Sequence, residues 1–165
     1  LDLVQPYPVK IMDTRKTVPG LRALDKYAVV AGGGSNHRIG LYDMFLIKDN
    51  HIQVAGSITN AIERCKAYRK EKGIDSPIEV EVTNFDELDE ALRCGVDRIM
   101  LDNFTVEDLR RAVAIIDGRC EIEASGGITS DTIHAVASTG VNIISVGALT
   151  HSVKGLDISL EVSIN

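Results

Sequence analysis

Apolar positions change their period several times along this chain. From about residue 57 onward, short β-branched runs alternate with helical patterns. The segments IEVEV (78–82), RIMLD (98–102), CEIEA (120–124) and NIISV (142–146) predict strands. Between them, Ile58, Ala61, Ile62 and Cys65 mark one face of a helix. Asn84 with Glu87 three residues on starts another, which runs to about Arg93 and stops at Gly95. Thr105 caps a third, with Leu109, Val113 and Ile116 on one side, and a fourth is expected from about Ser130 to Gly140. Successive strands start at 78, 98, 120 and 142, the rhythm of a parallel sheet built from βα units.

The first third is less regular. It predicts a strand over 9–12, a helix over 19–30, a glycine-rich loop AGGGSN at 31–36 and a strand over 44–48. That makes about six barrel-type strands, where a closed (β/α)₈ barrel needs eight. The expected fold is therefore α/β, an open or irregular parallel β/α barrel of the TIM-like kind. Residues 1–155 would form this catalytic domain. Leu156 to Ile164 (LDISLEVSI) alternates apolar and polar residues, so residues 156–165 are expected as a half-buried terminal strand outside the barrel.

Composition narrows the function classes. The 165 residues carry a net charge of −6, unlike the basic footprint of a nucleic-acid binder, and no apolar run approaches a membrane span. The charge is uneven: residues 1–51 hold 7 Lys/Arg against 5 Asp/Glu, and residues 52–165 hold 11 against 19. Three distant cysteines, Cys65, Cys94 and Cys120, suggest buried thiols in a reducing, cytoplasmic setting rather than disulfides or a zinc site. The chain does not begin with Met, and Leu1 to Lys10 holds two prolines and no signal-peptide core, so a fragment or processed chain is expected.

Chemistry is sought where barrel strands end. Glu79 and Glu81 share a strand face, Glu121 and Glu123 repeat the arrangement, and Asp102 ends its strand. Such acids must be paired with cations, bound to metal or hydrogen-bonded to sugar hydroxyls. Ser125-Gly126-Gly127 and Gly147-Ala148 follow the last two strands, where barrels commonly hold phosphate on backbone N–H groups. Arg15 and Lys16 follow the first strand and Lys48 ends another, so cations should share the mouth with the acids. A mouth of both signs suits a polyanionic ligand that also carries a divalent metal. The AGGGSN loop lacks the phosphate-loop pattern of nucleotide triphosphatases and is expected as a flexible or close-packed loop.

The motifs DTRKTVPGLR (13–22), NHRIGLYDMFLIKDNH (36–51), EVEV (79–82), LDNF (101–104), EASGGI (123–128) and SVGALTHS (145–152), in this order, resemble the quinolinate phosphoribosyltransferase family. The resemblance implies transfer from phosphoribosyl pyrophosphate to quinolinate, Mg²⁺-dependent and decarboxylating, giving nicotinate mononucleotide, pyrophosphate and CO₂ in NAD biosynthesis. It implies that Arg15, His37, Arg38 and Lys48 hold the two quinolinate carboxylates, while Lys16 and Lys48 face the phosphoribosyl donor. Glu81 and Asp102 would bind the ribose hydroxyls or the metal-pyrophosphate, and with Lys48 form the catalytic set. Ser125, Gly126, Gly127, Gly147 and His151 would cradle the 5′-phosphate.

It further implies a homodimer or larger homo-oligomer in which each site receives a basic residue from the partner's amino-terminal domain. That α/β sandwich domain, of roughly 100 residues or more, has no counterpart in these motifs, and residues 156–165 would pack on it. Alternatives are a molybdenum-transport protein of the same fold, a nicotinate phosphoribosyltransferase without decarboxylation, and a non-catalytic anion-binding or dimerisation module. The cation cluster of Arg15, Lys16, His37, Arg38 and Lys48 favours quinolinate.

Overall fold

The computed structural model describes residues 1–164. In chain order the elements are β1 (Lys10–Met12), α1 (Arg22–Ala31), β2 (Phe45–Ile47), α2 (Asp49–Ala55), α3 (Ile58–Lys72), β3 (Ile78–Val82), α4 (Phe85–Cys94), β4 (Arg98–Asp102), α5 (Val106–Ile116), β5 (Glu121–Ser125), α6 (Ile133–Ala137), β6 (Ile143–Ser145) and α7 (Ala148–His151). All six strands are parallel, in the order β1-β6-β5-β4-β3-β2. The sheet is thus open, with β1 and β2 unpaired to one another at its two edges, a seam in the ladder.

Period-two alternation sorts the strands into two faces. Ile78, Val80 and Val82 of β3, Ile99 and Leu101 of β4, and Ile122 and Ala124 of β5 pack with Leu88, Ala91, Leu109, Ala112 and Ile116 of the helices in one apolar core. That core lies between sheet and helices. The other face carries Glu79, Glu81, Met100 and Glu123, and its chemistry is polar in part. The helices begin where the sequence predicts: Ser57, Asn84 and Thr105 accept from the backbone N–H groups of Asn60, Glu87 and Asp108.

Three expectations need correction. Leu156 to Ile164 forms no strand and is exposed throughout, because its alternation meets no ladder partner or covering surface among the described residues. The helix expected from 130 to 140 is shorter, since Thr129 and Thr132 cap each other in a turn before it. The cysteines are half-buried rather than buried. The glycine loop is close-packed: Ser35 bridges to Met12, and a Cβ at Gly34 would lie 3.3 Å from Ile11 O. No helix among the described residues is long and apolar enough to cross a membrane.

Candidate active site

Strand register assembles the mouth. Leu46 is level with Glu79 and Ile47 with Val80, so Lys48, the next residue, comes level with Glu81. The Lys48 ammonium and the Glu81 carboxylate form an ion pair. His51 Nδ1 accepts from the Lys48 backbone N–H at 2.9 Å, fixing the start of α2 and with it the lysine's stem. Two strands further, Asp102 is level with Ser125, the first residue of the SGG turn. Gly126 and Gly127 both take positive φ, +94° and +58°, which few other residues adopt without strain.

The β1 and β6 ends meet in the same way, with Met12 level with Ser145. The loop after β1 therefore lies beside the turn after β6. Thr150, fully buried, donates to Lys16 O at 2.7 Å and ties the two together. His151 Nε2 and the Lys16 stem both crowd Gly147, within 2.9 and 3.8 Å of where a Cβ would stand.

Arg15 and Arg38 form a second centre. The Arg38 guanidinium is pushed below its usual range by burial and then by the charge of Arg15, against the pull of Glu79 and Asp43. Arg15 Nε is buried with no protein partner. An unused, buried guanidinium donor suits an anionic ligand. Arg22 braces both loops, donating to Thr17 Oγ1 (3.2 Å), Arg15 O (3.3 Å) and Ile39 O (3.2 Å).

Beneath these loops lies a buried charge network. The Asp13 carboxylate accepts from Lys26 Nζ (2.5 Å), Asn36 Nδ2 (2.5 Å) and the His37 backbone N–H (2.8 Å). Lys26 also donates to His37 O at 2.8 Å. This holds the segment 36–38 against β1.

His37 itself departs from the expected placement. Its ring is buried, and Nε2 lies 3.2 Å from both Glu79 and Glu123, although neither contact is aligned as a hydrogen bond. Arg98 adds its guanidinium 3.7 and 3.5 Å from the same two carboxylates. Burial pushes the His37 imidazole down, but the two carboxylates outweigh it and lift its pKa to about 9. The second ring proton is gained at a cost, because Nδ1 accepts from the Arg38 N–H at 2.8 Å. Burial raises Glu79, while the neighbouring charges and His37 hold Glu123 low despite its burial.

The structure thus brings together Lys48 with Glu81, Asp102 with Ser125 and Gly126, Lys16 with Gly147 and His151, and Arg15 with Arg38. The His37 ring lies against the protein carboxylates of Glu79 and Glu123. Asp13, Lys26, Arg98 and Thr150 are structural partners that sequence reasoning missed. Only Asp13, directly after a strand, carried a positional signal.

As a metal site, the mouth offers two carboxylates and no third ligand in a preformed cage. The one place among the described residues where three His, Cys, Asp or Glu ligand atoms converge is His37, Glu79 and Glu123, which Arg98 already neutralises. Glu81 and Asp102 fit an ion that arrives coordinated by phosphate oxygens, as Mg²⁺ commonly does.

Residues 1–161 match the family described as quinolinate phosphoribosyl transferase, C-terminal domain. The chain is 52% identical over 157 residues to a probable nicotinate-nucleotide pyrophosphorylase [carboxylating] of Bacillus subtilis, covering 95% of this chain and 53% of that protein. It is 48% identical over 170 residues to a chloroplastic nicotinate-nucleotide pyrophosphorylase [carboxylating] of Arabidopsis thaliana, covering 94% and 49%. Among solved structures, the nicotinate-nucleotide pyrophosphorylase of Francisella tularensis superposes with a TM-score of 0.87 at 49% identity, over 93% of this chain and 53% of that one. NadC from Streptococcus pyogenes superposes at 0.91 and 42% identity, over 98% and 55%. The chain spans about half the length of the curated relatives it matches.

Proposed function

Because this chain belongs to the quinolinate phosphoribosyltransferase family, we propose that it is the barrel part of an enzyme that joins quinolinate to phosphoribosyl pyrophosphate and decarboxylates the product. The products are nicotinate mononucleotide, pyrophosphate and CO₂. The observation that carries this reading is the buried, unpartnered Nε of Arg15, on a loop that Arg22 ties to the loop of Arg38, on the same mouth as Lys48 with Glu81 and the Asp102–SGG strand ends. One centre suits a dicarboxylate; the other suits a sugar with phosphate at both ends.

Arg15, Arg38 and Lys48 hold the two quinolinate carboxylates and aim the pyridine nitrogen at the ribose C1. As pyrophosphate departs, C1 gains oxocarbenium character, which the carboxylates of Glu81 and Asp102 stabilise from the ribose side. Lys16 and Lys48 neutralise charge on the leaving group. When bound, Mg²⁺ would be held by Glu81 and Asp102 together with pyrophosphate oxygens and would offset that same charge. Once the pyridine nitrogen is quaternary, its positive charge stabilises the carbanion left on the adjacent ring carbon as the carboxylate leaves as CO₂, and a proton from water then replaces the lost group, so no covalent enzyme nucleophile is needed. The backbone of Ser125 to Gly127 and Gly147, with His151, cradles the 5′-phosphate. His37 acts from below, through the Arg38 backbone. The family's homodimer would add a cation from the partner subunit, and the apolar alternation of 156–164 would find its covering surface there or on a further domain.

Calorimetric titration with quinolinate and with nicotinate tests the dicarboxylate centre. Quinolinate should bind at least about tenfold more tightly, the worth of one charge-assisted hydrogen-bond pair. Equal affinities would count against the reading.

A further inference from the structure

The turn after β5 has no room for a side chain at Gly126, and what fills that space is Asn103. A Cβ at Gly126 would stand 2.3 Å from Asn103 Oδ1 and 2.8 Å from its backbone nitrogen. Asn103 has φ +57°, one of two non-glycine residues with positive φ among the described residues. The other, Asp117, is the C-cap of α5, a position where the left-handed conformation ends a helix. Asn103 ends no helix. It follows β4 directly, in the mouth, and asparagine is among the few side-chain-bearing residues that adopt this conformation readily.

The conformation gives Asn103 two fixed partners. Its backbone N–H donates to Ser125 O at 2.9 Å, and its side-chain Nδ2 donates to Asp102 Oδ2 at 2.8 Å. One residue is therefore wedged between the strand-end carboxylate and the glycine turn, touching both. Asp102 is only half-buried, and among the described residues Asn103 is the side chain that hydrogen-bonds its carboxylate. Without that bond the carboxylate is free to rotate about its side-chain torsions in solvent.

We propose that Asn103 is a positioning residue for the phosphoribosyl donor. It sets the Asp102 carboxylate at a fixed separation from the Ser125–Gly127 turn, so that the ribose hydroxyls and the 5′-phosphate of one ligand reach both partners together. The proposal rests on the assignment of this mouth to phosphoribosyl pyrophosphate. Pre-orientation of this kind affects donor affinity and leaves the dicarboxylate centre alone, because Arg15 and Arg38 belong to other loops.

Two variants of the chain test it, with phosphoribosyl pyrophosphate and quinolinate titrated separately by calorimetry and melting followed in parallel. Asn103→Gly keeps the positive φ without strain and deletes the amide. Its donor Kd should rise about tenfold, as for a lost hydrogen bond to a charged group, with quinolinate affinity within twofold of wild type. Asn103→Asp keeps shape and φ tolerance but replaces the amide donor with a carboxylate that cannot donate to Asp102. Donor binding should then weaken at least as much as in Asn103→Gly, with quinolinate affinity within twofold of wild type and melting unchanged, a split that a merely structural role would not produce. Unchanged donor affinity in Asn103→Gly, or an equal loss for both ligands, would overturn the proposal. A folded wild-type chain that binds quinolinate but no donor would overturn the reading of the mouth, and this inference with it.

Discussion

Glu81 and Glu123 stand at one register level, both aligned with Met100 and two strands apart, on the face of the sheet turned away from the helices. Their surroundings differ. The Glu81 side chain keeps 14% of its surface in solvent and pairs with a half-exposed lysine, while that of Glu123 keeps none and faces His37 and Arg98. The difference comes from what meets each carboxylate. Asp13 and Lys26 hold the segment 36–38 so that the His37 ring sits against Glu123 of β5 and Glu79 of β3, whereas Glu81, two residues on along β3, meets Lys48 from the end of the edge strand β2 instead. The same residue type on the same face is thus enclosed by charged partners in one place and open to solvent and a ligand in the other. Burial and charge compensation make the distinction, not residue identity.

Substitutions should separate the two regions. The largest effect is expected at the mouth: Lys48→Ala should lower turnover by about a thousandfold or more, the scale of losing a group that stabilises transition-state charge, with melting nearly unchanged. Turnover within a few fold of wild type would show that Lys48 is no part of the reaction. In the interior, Glu123→Ala removes one of the two carboxylates that Arg98 and His37 share and should cost about 3–5 kcal/mol of stability in urea unfolding. A loss under about 1 kcal/mol would mean that the cluster is not an energetic unit.

The interior should also show a pH signature. His37 is raised in the folded chain from 6.5 to about 9, so the stability it contributes is fully present below pH 6.5 and is lost as pH rises through 9. The shift corresponds to about 3 kcal/mol, reduced to about 2 by the Arg38 N–H bond given up on charging. Urea unfolding between pH 6 and 10 should show this decline in wild type and not in His37→Gln. The smallest effect is the most local: Arg38→Ala should raise the KM for quinolinate about tenfold and leave that for the phosphoribosyl donor within a few fold. The reverse pattern would exchange the two subsites.

What could be read in the sequence follows from how local the cause was. Strand ends carrying Lys48, Glu81, Asp102 and Ser125 were legible because period-two alternation and a βα rhythm place them without knowledge of distant partners. The outward apolar faces were legible for the same reason. The helix α1 was legible as a helix over 19–30, but the face it buries was not. Its apolar residues Leu24, Tyr27 and Val30 face outward and its Lys26 is buried, the inverse of the usual pattern, because a buried carboxylate from β1 awaits the lysine. The His37 orientation was hidden likewise, since it depends on Glu79, Glu123 and Arg98 from three other strands. The alternating residues 156–164 predict a strand that does not form, because a strand needs a partner and the described residues present none to it.

The central claim, that this mouth performs phosphoribosyl transfer coupled to decarboxylation, is tested most directly by CO₂ release from carboxyl-labelled quinolinate with phosphoribosyl pyrophosphate and Mg²⁺. The assay is run on this chain and on the chain extended at its amino terminus to the length of its relatives. The account predicts CO₂ and pyrophosphate in equal amounts, dependent on both substrates, from the extended chain, with any activity of the shorter chain abolished by Lys48→Ala. Absence of CO₂ from the extended, folded chain, or release without the phosphoribosyl donor, would contradict it.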